Sequence, residues 1–143
     1  VISVEKEKNL KENIIENILE KNENESIYKI KKELSYIMFK YAGLYRTNDD
    51  LILLLEKIEN LEKEYKNTGI GNKDKTYNKN LLDYIELGNI LLLSKLTALS
   101  ALKRKESRGS HFRIDYNNTS KEYEKISTIQ YINEKIIHCF EEI

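Results

Sequence analysis

The sequence predicts a mainly α fold: an antiparallel three-helix bundle of spectrin-repeat type with a short extended or hairpin C-terminal tail. Three observations carry this. Apolar residues recur at helical spacing from Leu10 to Ala101, with charged residues between them. No proline interrupts any of the 143 residues. Beyond Gly109 the period changes to two, which is that of a strand.

A first helix is expected over about 5–21, where Leu10, Ile14, Ile15 and Ile18 form a stripe that ends at the polar Lys21-Asn22-Glu23-Asn24. Ser26 is placed to cap a second helix over 26–42, with Ile27, Ile30, Leu34, Ile37, Met38 and Tyr41 on one face. Gly43 is free to turn left-handed and Leu44 to fold back on the last turn, so that helix stops there. Thr47 followed by Asp50 resembles a capping box, and Asp49 and Asp50 suit the positive end of a third helix over 48–66. Its stripe is Leu51, Leu54, Leu55, Ile58, Leu61 and Tyr65, so two helices meet at a corner.

Thr68 to Lys75 reads as an exposed connection. Gly69 and Gly71 lack the Gly-Lys-Ser/Thr and the preceding strand that a phosphate loop needs. The longest helix is expected over about 79–106, with Leu81, Ile85, Leu92, Leu96 and Leu99 facing inward. Its turn Ile90-Leu91-Leu92-Leu93 is apolar all round, which requires cover on more than one side, either from several helices or from a partner domain. Gly88, Ala98 and Ala101 would admit close neighbours.

Gly109, just past a basic stretch, signals a helix stop. In the tail, 110–143, Phe112, Ile114 and Tyr116 alternate with His111, Arg113 and Asp115, so one face is polar and the other is free to pack on the bundle. Asn117 to Ser120 forms a turn. Two β-branched runs, 126–132 and 135–140, flank Asn133-Glu134 and favour a hairpin, although Ile129, Ile132, Ile136 and Phe140 also satisfy a helix.

Composition excludes several functions. Twenty-four basic residues balance 24 acidic ones, so no cationic excess points to nucleic acid. No uninterrupted run of 18 apolar residues exists, and Val1-Ile2-Ser3-Val4-Glu5 does not read as a signal peptide. The lone Cys139 has no disulfide partner and fits a reducing cytoplasm; in its apolar run it reads as a small buried hydrophobe. His111 and His138 lack the spacing of metal ligands. His111 beside Arg113 could serve as an acid or base, but it reads better as a hydrogen-bonding group that holds the turn. No catalytic, cofactor-binding or metal-binding residue is assigned.

The segment from Ala98 to Tyr116, ending in Lys105-Glu106-Ser107-Arg108-Gly109-Ser110-His111-Phe112-Arg113-Ile114-Asp115-Tyr116, resembles the C-terminal helical domain of the succinate dehydrogenase/fumarate reductase flavoprotein family. In that family an Ala-rich helix ends in Arg-x-Glu-Ser-Arg-Gly-x-His-x-Arg-x-Asp-aromatic-Pro; here Asn117 stands where proline is usual. Met38 to Arg46 is similar to the family's Met-x-x-x-x-Gly-aliphatic-x-Arg corner. The short tail without Trp or Pro, and the Gly-Ser-His-Phe-Arg variant, look most like the L-aspartate oxidase branch, which would make the parent an FAD enzyme of NAD biosynthesis. The succinate dehydrogenase/fumarate reductase branch is the alternative.

The resemblance implies that the family's flavin and substrate residues fall outside this chain. The chain would be a single C-terminal domain over 1–143, inactive and without FAD by itself, that buttresses the flavin-binding and capping domains of the same polypeptide. The docking candidates are Glu106, Arg108, His111, Arg113 and Asp115. Some charged partners of Arg108 and Arg113 would then lie in those other domains, and Arg113→Ala would alter the melting temperature of the isolated domain little. A reading from another class is a free-standing helical adaptor that binds through Ile90–Leu93.

Overall fold

Helix boundaries follow the caps. The computed structural model describes residues 4–132 and 135–142. Its helices are α1 (Val4–Glu20), α2 (Ile27–Ala42), α3 (Asn48–Asn67) and α4 (Lys79–Lys103). Thr47 Oγ1 accepts the Asp50 N–H at 3.1 Å and donates to Asp50 Oδ2 at 2.7 Å, so the predicted cap forms. Asn78 caps α4 by accepting the Leu81 N–H at 3.0 Å. Ser26 precedes α2 in an extended conformation, but its hydroxyl makes no cap bond.

Gly43 is not left-handed, with φ −67°. Its requirement is space, since a Cβ would lie 2.6 Å from the Phe39 carbonyl oxygen. Gly109 does lie in the left-handed region, at φ 58°, which favours glycine. It does not end the helix: α4 stops at Lys103, short of 106, and Gly109 sits in the turn where Arg108 and His111 exchange backbone hydrogen bonds.

The chain is mainly helical with two small sheets. Ile30 and Ile37 from α2, Leu51, Leu54 and Ile58 from α3, and Leu87 and Leu91 from α4 are each 1% exposed or less. Burying each such side chain contributes about 1.5–3 kcal/mol. Among the described residues there are four helices, one for each predicted segment. α2, α3 and α4 pack on one another, whereas α1 buries only Ile18 and leaves Leu10 and Ile14 exposed.

The inward face of α4 differs from expectation. It is Leu81, Tyr84, Leu87, Leu91, Ser94, Ala98 and Ala101, while Ile85 and Leu92 are exposed. An apolar turn without a polar side gives no preferred rotation, so small residues opposite the neighbouring helices decide it. Tyr65 and Tyr84 stack with ring centroids 4.4 Å apart, and the Tyr65 hydroxyl occupies the space that a side chain at Gly88 would need.

Among the described residues α4 is also the one helix long and apolar enough to cross a membrane. Burial within the described residues accounts for only part of that composition, since 28% of the apolar stretch is buried and Leu82, Leu92 and Leu93 are exposed; Lys95 on its flank pairs with Glu62 at 2.7 Å.

The connection after α3 is partly buried rather than exposed. Thr68 and Ile70 are inside. Thr68 Oγ1 accepts the N–H groups of Asn24 and Glu25 and donates to the Glu25 carbonyl, and the Gly69 N–H reaches the Asn22 carbonyl at 2.7 Å. These bonds fasten the link between α1 and α2.

The short strands β1 (Tyr45–Arg46) and β2 (Phe112–Arg113) pair in parallel, with Tyr45 opposite Phe112 and Arg46 opposite Arg113. They are too distant in sequence for local patterns to reveal. A single 3-10 turn, Lys121–Tyr123, leads to β3 (Ile126–Ile132) and β4 (Lys135–Glu141), an antiparallel hairpin with Thr128 opposite Cys139. The hairpin reading of the tail therefore holds. Asn133-Glu134, like Val1 to Ser3, lies outside the described residues. Cys139 is exposed rather than buried, because the hairpin uses its other face, that of Ile136, His138 and Phe140, for packing.

Candidate functional site: an arginine junction

The C-terminus of α4 ends in carbonyls with no helical partner, and these attract a guanidinium. Arg113 provides it. Its Nη1 donates to the carbonyls of Ala101, Leu102 and Arg104 at 2.9, 3.3 and 3.3 Å. Nε and Nη2 grip Asp115 Oδ1 and Oδ2 at 2.8 and 2.7 Å, a fork that only arginine can offer. Asp115 Oδ2 also accepts the Asn48 N–H at 2.8 Å, at the positive end of α3. One ion pair thus joins the end of α4 to the start of α3.

Arg113 is fully buried, against the expectation of an exposed polar face. Strand alternation persists for only two residues, after which Ile114 to Tyr116 turn away. Phe112, Ile114 and Tyr116 remain exposed instead of packing on the bundle. Phe112 meets the ring of Tyr45 edge-on, and Tyr116 lies under the Arg113 guanidinium, 5.0 Å from its ring centroid. The short side chain of Ser107 closes the loop by accepting the Arg113 N–H at 2.9 Å and donating to the Tyr116 carbonyl at 2.8 Å.

A second buried carboxylate organises the other half. Glu106 Oε1 accepts from Arg104 Nη1 at 2.8 Å and Arg108 Nε at 2.9 Å; Oε2 accepts from Arg108 Nη2 at 3.2 Å and the Ser120 N–H at 2.8 Å. Burial pushes its carboxyl up, but the donors from Arg108, Ser120 and Arg104 outweigh this and hold it at about 2. Asp115 is lowered too, chiefly by its hydrogen bonds from Arg113. Arg104 continues outward to the Tyr123 and Lys125 carbonyls and Ser127, and so tethers the hairpin to α4.

His111 holds the remaining corner. A guanidinium can only donate, so Arg46 Nη1, 2.9 Å from His111 Nδ1, makes that nitrogen the acceptor. Nε2 then carries the proton and donates to the Arg104 carbonyl at 3.2 Å. Burial lowers the imidazole pKa, and the charges of Arg46, Arg113 and Arg104 lower it further. Both ring nitrogens are engaged in fixed bonds, which is the geometry of a structural histidine. Arg46 Nε meanwhile donates to the Ala42 and Gly43 carbonyls and so caps α2.

All five sequence candidates therefore come together, and the partners of Arg108 (Glu106 and Glu124) and of Arg113 (Asp115) belong to this same chain. Sequence reasoning did not single out Arg46, Asn48, Arg104 or Ser107 as members of the site. Arg46 and Arg104 lie within the two recognised motifs, which was the available signal. Among the described residues no group of three His, Cys, Asp or Glu side chains is placed to hold a metal ion. The parallel strands β1 and β2 are joined through α3 and α4, but the turn from β1 into α3, Arg46-Thr47-Asn48, has none of the glycines that let a dinucleotide's phosphates approach a helix N-terminus.

Comparison with known proteins agrees with this architecture. The family described as "Fumarate reductase flavoprotein C-term" matches residues 31–138. The chain is 40% identical over 96 residues to the 8-methylmenaquinol:fumarate reductase flavoprotein subunit of Wolinella succinogenes, covering 67% of this chain and 16% of that protein. To the fumarate reductase flavoprotein subunit of Escherichia coli it is 32% identical over 108 residues, covering 76% and 18%. The chain thus spans about a sixth of the length of these curated relatives.

Among solved structures, a variant of the E. coli quinol fumarate reductase chain superposes with a TM-score of 0.92 at 25% identity, covering 98% of this chain and 25% of that one. These relatives are fumarate reductase subunits, so the preference for L-aspartate oxidase drawn from tail length finds no support in them, and the other branch does. A missing Trp or Pro in a tail is a weak vote beside identity spread over a whole domain. The chain belongs to the family of C-terminal domains of succinate dehydrogenase/fumarate reductase flavoproteins.

Proposed function

We propose that this chain is the C-terminal domain of a succinate dehydrogenase or fumarate reductase flavoprotein subunit, and that it buttresses the flavin-binding and capping domains of the same polypeptide. The observation that carries this is the fit of 98% of the chain onto a quarter of the E. coli quinol fumarate reductase chain. The junction supports it mechanically, because Arg113, Asp115 and Glu106 fix the ends of α3 and α4 rigidly enough to present one shape to a neighbour. FAD in the whole protein would supply the redox chemistry, while these residues only support the domains that hold it. A cytoplasmic setting is part of this reading, and the free thiol of Cys139 is compatible with it.

The test is turnover by the complete gene product. Fumarate reduced by a low-potential dye, or succinate oxidised, with no release of iminoaspartate from L-aspartate, is the expected result. Oxidation of L-aspartate without activity on either C4 dicarboxylate would return the assignment to L-aspartate oxidase.

A further inference from the structure

The junction carries more positive charge than it consumes. Arg113 is matched by Asp115, Arg104 pairs with Glu106, and Arg108 pairs with Glu106 and with Glu124 at 4.0 Å. Arg46 is half-buried, and no carboxylate among the described residues pairs with it; its bonds go to the Ala42 and Gly43 carbonyls and to His111. Burial and the nearby Arg113 both weaken its hold on its proton, as expected of a cation without a counter-ion.

Arg46 opens into a shallow, solvent-open depression of about 380 Å³, where Arg104 and His111 line the polar side with Thr97, Ser100 and Ser127. Its floor, Leu96 and Ile129, continues into a second cavity of about 340 Å³ bounded by Leu92, Tyr131 and Ile136. Together they form one groove between α4 and the hairpin, basic at one end and apolar at the other. Leu93 at its rim is 61% exposed. A groove of this kind fits a segment that brings one carboxylate and one or two large apolar side chains.

We propose that this groove receives an acidic, apolar segment from the remainder of the flavoprotein polypeptide, with an Asp or Glu carboxylate of that segment paired to Arg46. The proposal rests on the domain assignment above. Charge complementarity selects a carboxylate, since a buried cation is stabilised by pairing. The source follows from length: curated relatives hold about five-sixths of their residues outside the region matched here, so a tethered partner is present at high effective concentration.

The experiment uses the complete subunit with Cys139→Ser as background. The thiol introduced by Leu93→Cys should react with a maleimide about tenfold or more slowly than in the denaturant-unfolded subunit, because the segment covers it. In a separate Arg46→Lys subunit, a water-soluble carbodiimide should join the new amine to an Asp or Glu outside residues 1–143. The amide forms as water passes to the carbodiimide, giving the urea, and peptide mass spectrometry locates it. Reaction of the Leu93→Cys thiol at close to the unfolded rate overturns the proposal. So does absence of the amide, or an amide confined to residues 1–143 or formed to another polypeptide. Flavin content of the same preparation separates the two readings: a flavin-loaded subunit with an open groove defeats the groove alone. A complete gene product without a flavin-binding region defeats the domain assignment beneath it.

Discussion

In the helical core, Leu51, Leu54 and Ile58 lose all contact with water; at the junction, Arg113 and Glu106 lose it as completely. The core is held by apolar area, which is non-directional and tolerates residues of similar volume. The junction is held by charges whose desolvation must be offset by donors and acceptors at fixed positions. Arg113 meets three carbonyls and both oxygens of Asp115, and Glu106 meets four donors. The core therefore supplies stability, while the junction specifies how α2, α3, α4 and the hairpin meet.

The largest expected effect falls on that distinction. Arg113→Ala empties a fully buried site, leaves the last carbonyls of α4 without their donor and strips the more exposed Asp115 of its fork, though not of the Asn48 N–H, and should cost about 3–5 kcal/mol. This reverses the expectation drawn from sequence, in which Arg113 was exposed. Urea unfolding measures it, and a loss under about 1 kcal/mol would return Arg113 to the class of exposed pairs.

Leu91→Ala in the core should cost about 2–5 kcal/mol through lost transfer energy and a residual cavity. Leu91→Met should recover most of that, being close in volume. No such rescue is expected at the junction from Arg113→Met, which keeps the length but not the donors. If methionine works equally well at both sites, the contrast between them fails.

Acid should separate the regions as well. Glu106 has an ordinary value of 4.5 when unfolded and about 2 when folded. Its contribution is therefore complete above about 4.5 and lost as pH falls through about 2. Asp115 is lowered in the same sense. His111, held below its usual 6.5, adds a loss of the same sign on moving below 6.5, where the unfolded chain binds the extra proton. Melting temperature should thus fall with acidity, and Glu106→Gln should flatten that profile. An unchanged profile would mean that Glu106 is not held as described.

Smaller effects mark the edges. Thr47→Ala removes the α3 cap and should cost about 1 kcal/mol. Lys31→Ala breaks an exposed pair with Glu86 and should change stability by about 0–1 kcal/mol. A loss at Lys31 larger than at Thr47 in thermal melts would show that surface charge matters more here than helix ends.

Much of this was legible in the residues. The helices, the Thr47 cap and the corner before α3 follow from local spacing, and the five junction residues stand out as a motif. The rotation of α4 was not legible, because Ile90–Leu93 is apolar on every side and local amphipathicity is silent there. Nor was the burial of Arg113. Alternation told which residues share a strand face, but not which face would close over the end of α4. By itself the sequence determined element types, caps and family, since these depend on neighbours within a few positions along the chain. Only the tertiary structure decided that Arg46 lies opposite Arg113, that Glu106 is inside, and that Cys139 is out. Each depends on groups far apart in sequence whose burial is stabilised only once their partners arrive together.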